Sequence, residues 1–410
     1  EYNGVPSLPT SGEYDVDEFF IEANLPVFDN DSSRLDFSAA LRYSDYSTSG
    51  GESTGKLGFR WQIGDQFLIR GSFAEGFRAP SIGELFGSAA RFDATLTDPC
   101  VIGINGAPPT GPSSICSQFG IPAGAQQANP QISVTTGGNP NLEPETSDSY
   151  SLGFVWSPNF MVENGWAEKF DVEFTWYQHE LEGAIQAIDA QTQLNICTGL
   201  VPSVSPGGPS SPFCNGITRA VTGGINGFSN RLQNFGQIDT DGFDIDMFWT
   251  LPQTDWGVFR VSWQNTFVND YEAVDALGSA QPQGEGVEVN DSGIPEWSSN
   301  LTVDWALEDW SASWSVRHLD SLTENCSDFV GLGVCSNDAA GTNKLGSTTY
   351  HDLQVSLATN WIADMRLTGG VNNVTDKDAP FCYSCSLNGY DASNYDLPGR
   401  FYYLKVDFKF

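Results

Sequence analysis

The chain has 410 residues and a formal net charge of −34, because 18 Lys and Arg are set against 52 Asp and Glu. Nucleic-acid binding needs a basic surface for the phosphates, so this balance excludes nucleic acid as a partner. Aromatic residues make up 13% of the chain. No apolar run approaches the roughly 18 residues of a membrane-spanning helix, and no such helix is predicted.

Apolar and polar residues alternate along most of the chain, from about residue 14 to its end. The alternation predicts about 13 strands of about 9–14 residues, a length that suits tilted strands crossing a bilayer. In chain order they lie near residues 14–25, 33–46, 56–63, 66–75, 147–157, 168–181, 239–251, 256–271, 295–307, 310–318, 349–359, 364–371 and 400–410.

The two faces of these strands differ in chemistry. One carries Leu, Phe, Val, Trp and Ile, and the other carries Asp, Glu, Ser, Thr, Arg and Gln. An Arg or Lys facing lipid at the bilayer midplane costs about 2–4 kcal/mol, so the charged face is expected to line a lumen. A polar lumen indicates a wide barrel, because small barrels are filled by side chains.

Short and long connections alternate between the predicted strands. Short turns are expected near 27–31, 64–65, 252–255, 308–309 and 360–363, and long loops over 76–146, 182–238, 272–294, 320–348 and 372–398. Long structureless loops argue against a soluble β-sandwich. They are typical of the extracellular rim of a membrane barrel, whose periplasmic turns are short. The predicted fold is therefore an all-β, antiparallel transmembrane barrel.

The last strand, Arg400–Phe410, places Tyr402, Leu404, Val406, Phe408 and Phe410 on one face. This strand resembles the C-terminal strand of bacterial outer-membrane β-barrels. The resemblance implies that Phe410 is part of the signal read by the barrel-assembly machinery, which is thereby an expected partner.

All eight cysteines fall in the predicted long loops. Loop-closure entropy favours bridges between near neighbours, and disulfides persist outside the cell. The expected disulfides are Cys100–Cys116, Cys197–Cys214, Cys326–Cys335 and Cys382–Cys385. For the last pair, a C-x-x-C, metal or redox chemistry is the alternative, although the βαβ context of a redox motif is missing.

Five segments, in order along the chain, resemble the motifs of TonB-dependent outer-membrane receptors. They are Gly71–Phe86, Gly138–Gly153, Asp241–Asp246, Gly370–Asp376 and Pro398–Tyr402. The paired loop cysteines also resemble those of large proteobacterial members, several of which are thought to import glycans. The resemblance covers essentially the whole chain.

The family resemblance implies a barrel of about 22 strands with a plugged lumen. About 13 strands are predicted here, and an odd antiparallel set cannot close. We therefore expect residues 14–410 to form the C-terminal part of the barrel, with the plug and first strands outside this chain. Strand directions, counted back from the periplasmic end of the last strand, place residues 1–13 on the extracellular side as part of a loop.

The resemblance implies TonB-dependent, energy-coupled import across the outer membrane and no enzymatic activity. The expected partners are outer-membrane lipid, the remaining N-terminal part of the receptor, TonB acting through the plug, and a ligand. A glycan is the first choice of ligand, and a siderophore or another metal chelate the second. The alternative function is a passive porin or a structural surface protein.

Aromatic residues of the loops are the candidate ligand contacts, with packing between loops as the alternative. They are Phe92, Phe119, Phe213, Phe228, Phe329, Tyr383, Tyr390 and Tyr395. No catalytic residue and no cofactor is expected. The acidic balance leaves two readings open. One is a solvated lumen and loop surface, and the other is attraction of cationic substrates or binding of Ca²⁺ in the extracellular loops.

Overall fold

A computed structural model describes residues 9–274, 282–289, 291–359, 364–385 and 389–409. Three expectations concern residues outside these ranges: the position of Glu1, the turn at 360–363 and the terminal Phe410. Within the described ranges, no α-helix is both long and apolar enough to cross a bilayer.

One antiparallel sheet of 13 strands dominates the structure, and this is the number of strands that the sequence predicts. With all strands numbered in chain order, the sheet consists of β1 (Val16–Asn30), β2 (Ser33–Tyr46), β3 (Gly50–Ile63), β4 (Phe67–Arg78), β7 (Glu145–Trp156), β8 (Lys169–Gln186), β11 (Gln233–Thr250), β12 (Val258–Val274), β14 (Trp297–Leu307), β15 (Trp310–Leu319), β18 (Thr348–Thr359), β19 (Asp364–Asn372) and β20 (Phe401–Lys409). Each strand pairs with the next one in this series.

The prediction that the long loops are structureless is wrong. They contain the short strands β5 (Ala90–Thr95), β6 (Gln131–Thr136), β9 (Thr218–Arg219), β10 (Ile225–Gly227), β13 (Val287–Glu288), β16 (Leu322–Asn325) and β17 (Thr342–Leu345). The helices are α1 (Ile82–Phe86), α2 (Ser113–Cys116), α3 (Asn159–Glu163) and α4 (Ala190–Cys197), with 3₁₀ turns at Ser117–Phe119, Pro212–Cys214 and Ser327–Phe329. The α3 helix lies in a short connection, and the other helices lie in long loops.

Several strands are longer than predicted. The β1 strand continues to Asn30, so that its turn is reduced to Asp31 and Ser32. The β11 strand begins at Gln233, six residues before the predicted start, and is paired with β8 through register shifts around Gly236. In these extensions the backbone hydrogen bonds of the sheet continue, although apolar and polar residues no longer alternate. The alternation in the sequence therefore underestimates the length of these strands.

The sheet is open in the described part of the chain, where β1 pairs with β2 alone and β20 with β19 alone. Because 13 antiparallel strands alternate in direction, β1 and β20 run the same way. These two edges therefore cannot pair with each other in an antiparallel manner, and the sheet is an arc of a barrel.

Aromatic rings form a continuous row on the apolar face across five neighbouring strands. Successive ring centroids are 5.7, 5.8, 4.8 and 6.1 Å apart along Phe154, Phe174, Phe243, Phe267 and Trp297. Ring pairs of this kind contribute about 0.5–1.5 kcal/mol beyond their buried area. The row holds neighbouring strands in register on the side that faces lipid.

The opposite face carries a network of polar side chains. Arg70 lies 3.3 Å from a Glu173 oxygen, and the Ser72 and Ser151 hydroxyls are 2.8 Å apart. Asp244 accepts a 2.8 Å hydrogen bond from Thr266. The polar and apolar side chains therefore lie on opposite faces of the sheet, as the sequence predicts for a barrel with a polar lumen.

The long loops fold into two bodies above the strand ends. Loop body A comprises residues 79–144 and 187–232 and has two apolar clusters, one of Leu96, Val134, Ala190, Leu194 and Phe228, the other of Ile188, Ile196, Cys197, Phe213 and Cys214. Loop body B comprises the described residues of 282–296, 320–347 and 373–400. Its core contains Leu322, Leu345, Cys382 and Tyr395, which pack with Leu319 at the end of β15 and Tyr350 in β18.

The structure contains disulfides between the four cysteine pairs expected from the sequence, namely Cys100–Cys116, Cys197–Cys214, Cys326–Cys335 and Cys382–Cys385. Two lie in each loop body. Residues 9–13 approach the same rim, since the Ser88 amide donates to the Thr10 hydroxyl at 3.1 Å.

The two faces can be tested with an adjacent pair of substitutions in β7. Leu152 lies on the apolar face and is 51% exposed, while Ser151 lies on the polar face. Leu152→Arg should destabilise the complete receptor by about 2–4 kcal/mol, because the charge would face lipid. Ser151→Arg should cost far less. Denaturant unfolding in lipid measures both, and equal costs would show that the faces are assigned wrongly.

Candidate functional site

Two of the family-like motifs meet where β4 and β7 enter loop body A. Arg78, the last residue of β4, donates to Glu145 at 2.5 Å and to Glu84 at 2.9 and 3.0 Å. Glu84 also closes a capping box with Ser81 at the start of α1. The Arg78 guanidinium keeps the pKa of Glu84 below its usual value. These residues anchor the loop to the strand ends.

The last two motifs meet in the same way between β19 and β20. The Asp376 carboxylate accepts from the Arg400 amide at 2.7 Å, and the Arg400 side chain donates to the Val374 carbonyl at 2.8 Å. Asn373, with a φ of +51°, accepts from the Lys377 amide through its side chain. The motifs therefore form strand-to-loop junctions that fix where the loops begin and end.

A buried ion pair joins the two segments of loop body A. Arg219 lies 2.5 Å from Asp98, and the two side chains are only 8% and 2% exposed. The guanidinium also lies over the Phe119 ring, 5.4 Å from its centroid. Backbone hydrogen bonds add to this, because the Thr135 amide donates to the Phe228 carbonyl at 2.8 Å. The segments thus form one body.

Loop body A contains a cavity of about 720 Å³ at its junction with the end of β8. Its lining combines one aromatic ring, aliphatic groups, amides, hydroxyls and one carboxylate: Phe92, Ala94, Thr95, Leu96, Thr136, Gln186, Ala187, Ile188, Asp189, Ala190, Gln191, Thr192 and Asn230. This described lining includes no Lys or Arg. The size is in the range of small-molecule sites, about 300–1,000 Å³.

The wall of this cavity is held in place by polar contacts. Gln191 of α4 makes reciprocal hydrogen bonds with the Thr97 backbone, at 2.7 and 2.9 Å. Asp189 caps α4 by accepting from the Thr192 amide at 2.9 Å. Asn230 donates to the Ile188 carbonyl at 2.6 Å. A preorganised wall of this kind loses little entropy when a ligand binds.

The candidate aromatics divide into buried and accessible residues. Phe213, Phe228 and Tyr395 are buried in the loop cores, while Phe119 and Tyr390 pack partly buried against them. Burial raises the pKa of the Tyr395 phenol, and the nearby Asp391 and Glu288 carboxyl groups raise it further. These five residues pack the loops together, which is the alternative left open by the sequence.

Of the other three candidates, Phe92 is exposed, whereas Phe329 and Tyr383 are half-buried. Phe92 is 45% exposed in the cavity wall, and Phe329 and Tyr383 form a ring pair 5.4 Å apart in loop body B. Phe381, which the sequence analysis did not select, is 61% exposed and packs edge-on against Tyr383 at 4.9 Å. The sequence signal that could have identified Phe381 as a loop aromatic is its position directly before Cys382 of the Cys382–Cys385 bridge.

Loop body B also buries three carboxyl groups that the sequence analysis did not single out. Glu288, Glu324 and Asp391 are each at most 1% exposed. Burial and the neighbouring Asp391 raise the pKa of Glu288 to about 8. Burial opposes ionisation of Asp391 as well, but hydrogen bonds from Ser393 and Asn394 lower its pKa. The three come from separate loops, so no sequence spacing relates them.

The comparisons agree with this architecture. The family model of TonB-dependent receptor-like β-barrels matches residues 1–374, and the chain belongs to this family. It is a family of outer-membrane receptors of Gram-negative bacteria, which places the sheet in that membrane. No curated protein matches the sequence.

Among solved structures, a variant of the ferric enterobactin receptor PfeA from Pseudomonas aeruginosa is similar with a TM-score of 0.59 and 16% identity, over 96% of this chain and 44% of that one. The siderophore receptor PirA from Acinetobacter baumannii is similar with a TM-score of 0.58 and 17% identity, over 97% of this chain and 46% of that one. The copper transporter OprC is similar with a TM-score of 0.50 and 13% identity, over 98% of this chain and 50% of that one. The chain spans about half the length of these proteins.

Whether the two segments of loop body A form one folded unit can be tested through the buried ion pair that joins them. Arg219→Ala leaves the Asp98 charge buried without its partner, which should destabilise the body by about 3–5 kcal/mol. Arg91→Ala is the control, because the Arg91–Asp93 pair is exposed and should contribute at most about 1 kcal/mol. Hydrogen exchange of loop peptides in the complete receptor reports both. Similar exchange in the two variants would contradict the assignment.

Proposed function

We propose that this chain is the C-terminal barrel part of a TonB-dependent importer that captures a scarce nutrient with its extracellular loops. The single observation that carries the proposal is the combination of an open 13-stranded arc with folded, disulfide-braced loops on one rim. Lipid does not allow unpaired strand edges, so the arc requires further strands. The family supplies those strands and a plug.

The remaining N-terminal part of the receptor is the proposed partner at both edges, and TonB the proposed partner of the plug. Residues 14–410 are the proposed barrel segment, with residues 9–13 on the loop side of the sheet as the contact of Thr10 with Ser88 supports. A passive porin needs no ligand-binding loop body. Two packed loop bodies, one of them with a walled cavity, therefore favour the importer over a passive channel.

The proposed ligand is a neutral glycan, with a siderophore or another metal chelate as the second candidate. The cavity of loop body A offers the Phe92 ring beside amide, hydroxyl and carboxylate groups. These groups suit a polyhydroxylated ligand with an apolar face. The net charge of −34 disfavours a strongly anionic chelate, since its approach would be repelled.

Energy coupling can be tested by ligand uptake into cells that produce the complete receptor. Uptake should stop when TonB is deleted or when a protonophore collapses the inner-membrane proton gradient, because the plug then stays in place. Binding of the ligand at the cell surface should be unaffected under both conditions. Uptake that continued at the same rate would support the passive alternative and overturn the importer.

The ligand site can be tested with Phe92→Ala in the purified complete receptor. Loss of an aromatic contact at a binding hot spot costs more than 1 kcal/mol, so oligosaccharide affinity should fall about tenfold. Phe160→Ala is a matched control, since Phe160 is 44% exposed against 45% for Phe92 but lies in α3 at the opposite rim. Calorimetric titration with oligosaccharides and with ferric chelates measures both variants.

If ferric chelates bind and oligosaccharides do not, the ligand class is wrong while the importer stands. If Phe92→Ala and Phe160→Ala bind alike, the cavity is not the ligand site.

A further inference from the structure

Three loops bring carboxyl groups together inside loop body B. The β13 and β16 strands pair in parallel, with Glu288 directly opposite Glu324. Asp391, from the loop between β19 and β20, lies beside the Glu288 carboxyl. All three side chains are at most 1% exposed. Burial of several negative charges in one place is costly unless something of opposite charge compensates.

Two of the three carboxylates are satisfied by hydrogen-bond donors. Glu324 accepts from the Ser384 amide and hydroxyl at 2.8 and 3.0 Å and from the Asn343 side chain at 2.6 Å. Asp391 accepts from Gly293 at 3.1 Å, from Asn394 at 2.6 Å, and from the Ser393 amide and hydroxyl at 2.8 and 2.6 Å.

Glu288 differs from the other two. Its Oε1 accepts from the Asp291 amide at 2.9 Å, whereas no amide or hydroxyl group in the described part of the chain donates to its Oε2. The Glu288 and Asp391 carboxyl groups lie within hydrogen-bond distance of each other, so they need a proton or a cation between them. Glu288 Oε2 is directed toward Gly293, where an added Cβ would lie only 2.5 Å from it. The amide of the same Gly293 donates to Asp391, so this Glu288 oxygen lies on the Asp391 side of the cluster.

None of the ion pairs formed by the described residues involves Glu288, Glu324 or Asp391. Sulfur cannot serve as a soft metal ligand here, although Cys382 and Cys385 lie close to Glu288. Both are held in a disulfide, and metal binding needs the thiolate.

We propose that a divalent cation of the calcium type binds between Glu288 and Asp391 and ties the β12–β14 loop to the β19–β20 loop. Two adjacent carboxylates match the charge of one divalent ion. Oxygen donors in an irregular loop setting suit Ca²⁺, which accepts flexible coordination, better than Mg²⁺, which demands near-octahedral geometry. The loops face the outside of the cell, and the strongly negative chain raises the local cation concentration.

The test uses the complete receptor after treatment with EDTA, followed by titration with CaCl₂. Hydrogen exchange is followed in peptides covering residues 282–289 and 389–396. Ca²⁺ should slow exchange in both peptides together, and Mg²⁺ should do so only at much higher concentration. In Glu288→Gln the Ca²⁺ concentration for half of this effect should rise at least tenfold.

Glu143→Gln is the control, because Glu143 is an exposed loop carboxylate of loop body A and its loss changes the net charge equally. Its response should equal that of the wild type. Exchange in loop body A serves as the folding check for Glu288→Gln. If Ca²⁺ and EDTA leave the two peptides unchanged, or if Glu288→Gln responds like the wild type, the proposal is overturned and the pair shares a proton. The outcome does not depend on the import proposal.

Discussion

The hydrogen-bonding demand of the backbone in lipid governs this structure. A strand in the bilayer has no water to satisfy its amide and carbonyl groups, so every strand needs a partner on both sides. The β1 and β20 edges have a partner on one side only among the described residues. Since these two strands run in the same direction, they cannot complete each other. This demand for further strands is the physical basis of the proposal that the chain is one part of a larger barrel.

The loops face a different constraint, because they are in water and have no ladder to continue. Each loop body compensates for its length with an apolar core, two disulfides and polar clamps such as Arg219 with Asp98. A disulfide removes conformations from the unfolded loop, which matters most for segments with small cores. A preformed wall around a cavity results, and binding there requires little further ordering.

Acidic side chains are accommodated differently on the polar face of the sheet and in loop body B. On the polar face of the sheet, Glu173 is paired with Arg70 and Asp244 with the Thr266 hydroxyl. In loop body B, three acidic groups are buried, and among the described residues they form no ion pair and no amide or hydroxyl donates to Glu288 Oε2. The first arrangement tolerates water in a lumen. The second is stable only if a proton or a cation is held between Glu288 and Asp391.

Period-two alternation determined the strand number, the two faces and the alternation of turns and loops, because lipid on one side and water on the other impose a strict pattern. The pattern fails where that contrast ends, and so the extension of β8 and β11 beyond the bilayer was missed. Local cysteine spacing was also sufficient for the disulfide pairs, since short loops close at the least entropic cost.

Only the tertiary structure decided which loop aromatics are accessible and which carboxylates meet. Phe92 and Phe228 are both aromatic residues of predicted long loops, yet one lines a cavity and the other is buried against α4. Glu288, Glu324 and Asp391 are separated along the chain and come together through β13–β16 pairing and the last loop. Contacts between distant loops depend on how their cores pack, and no local period in the sequence encodes that packing.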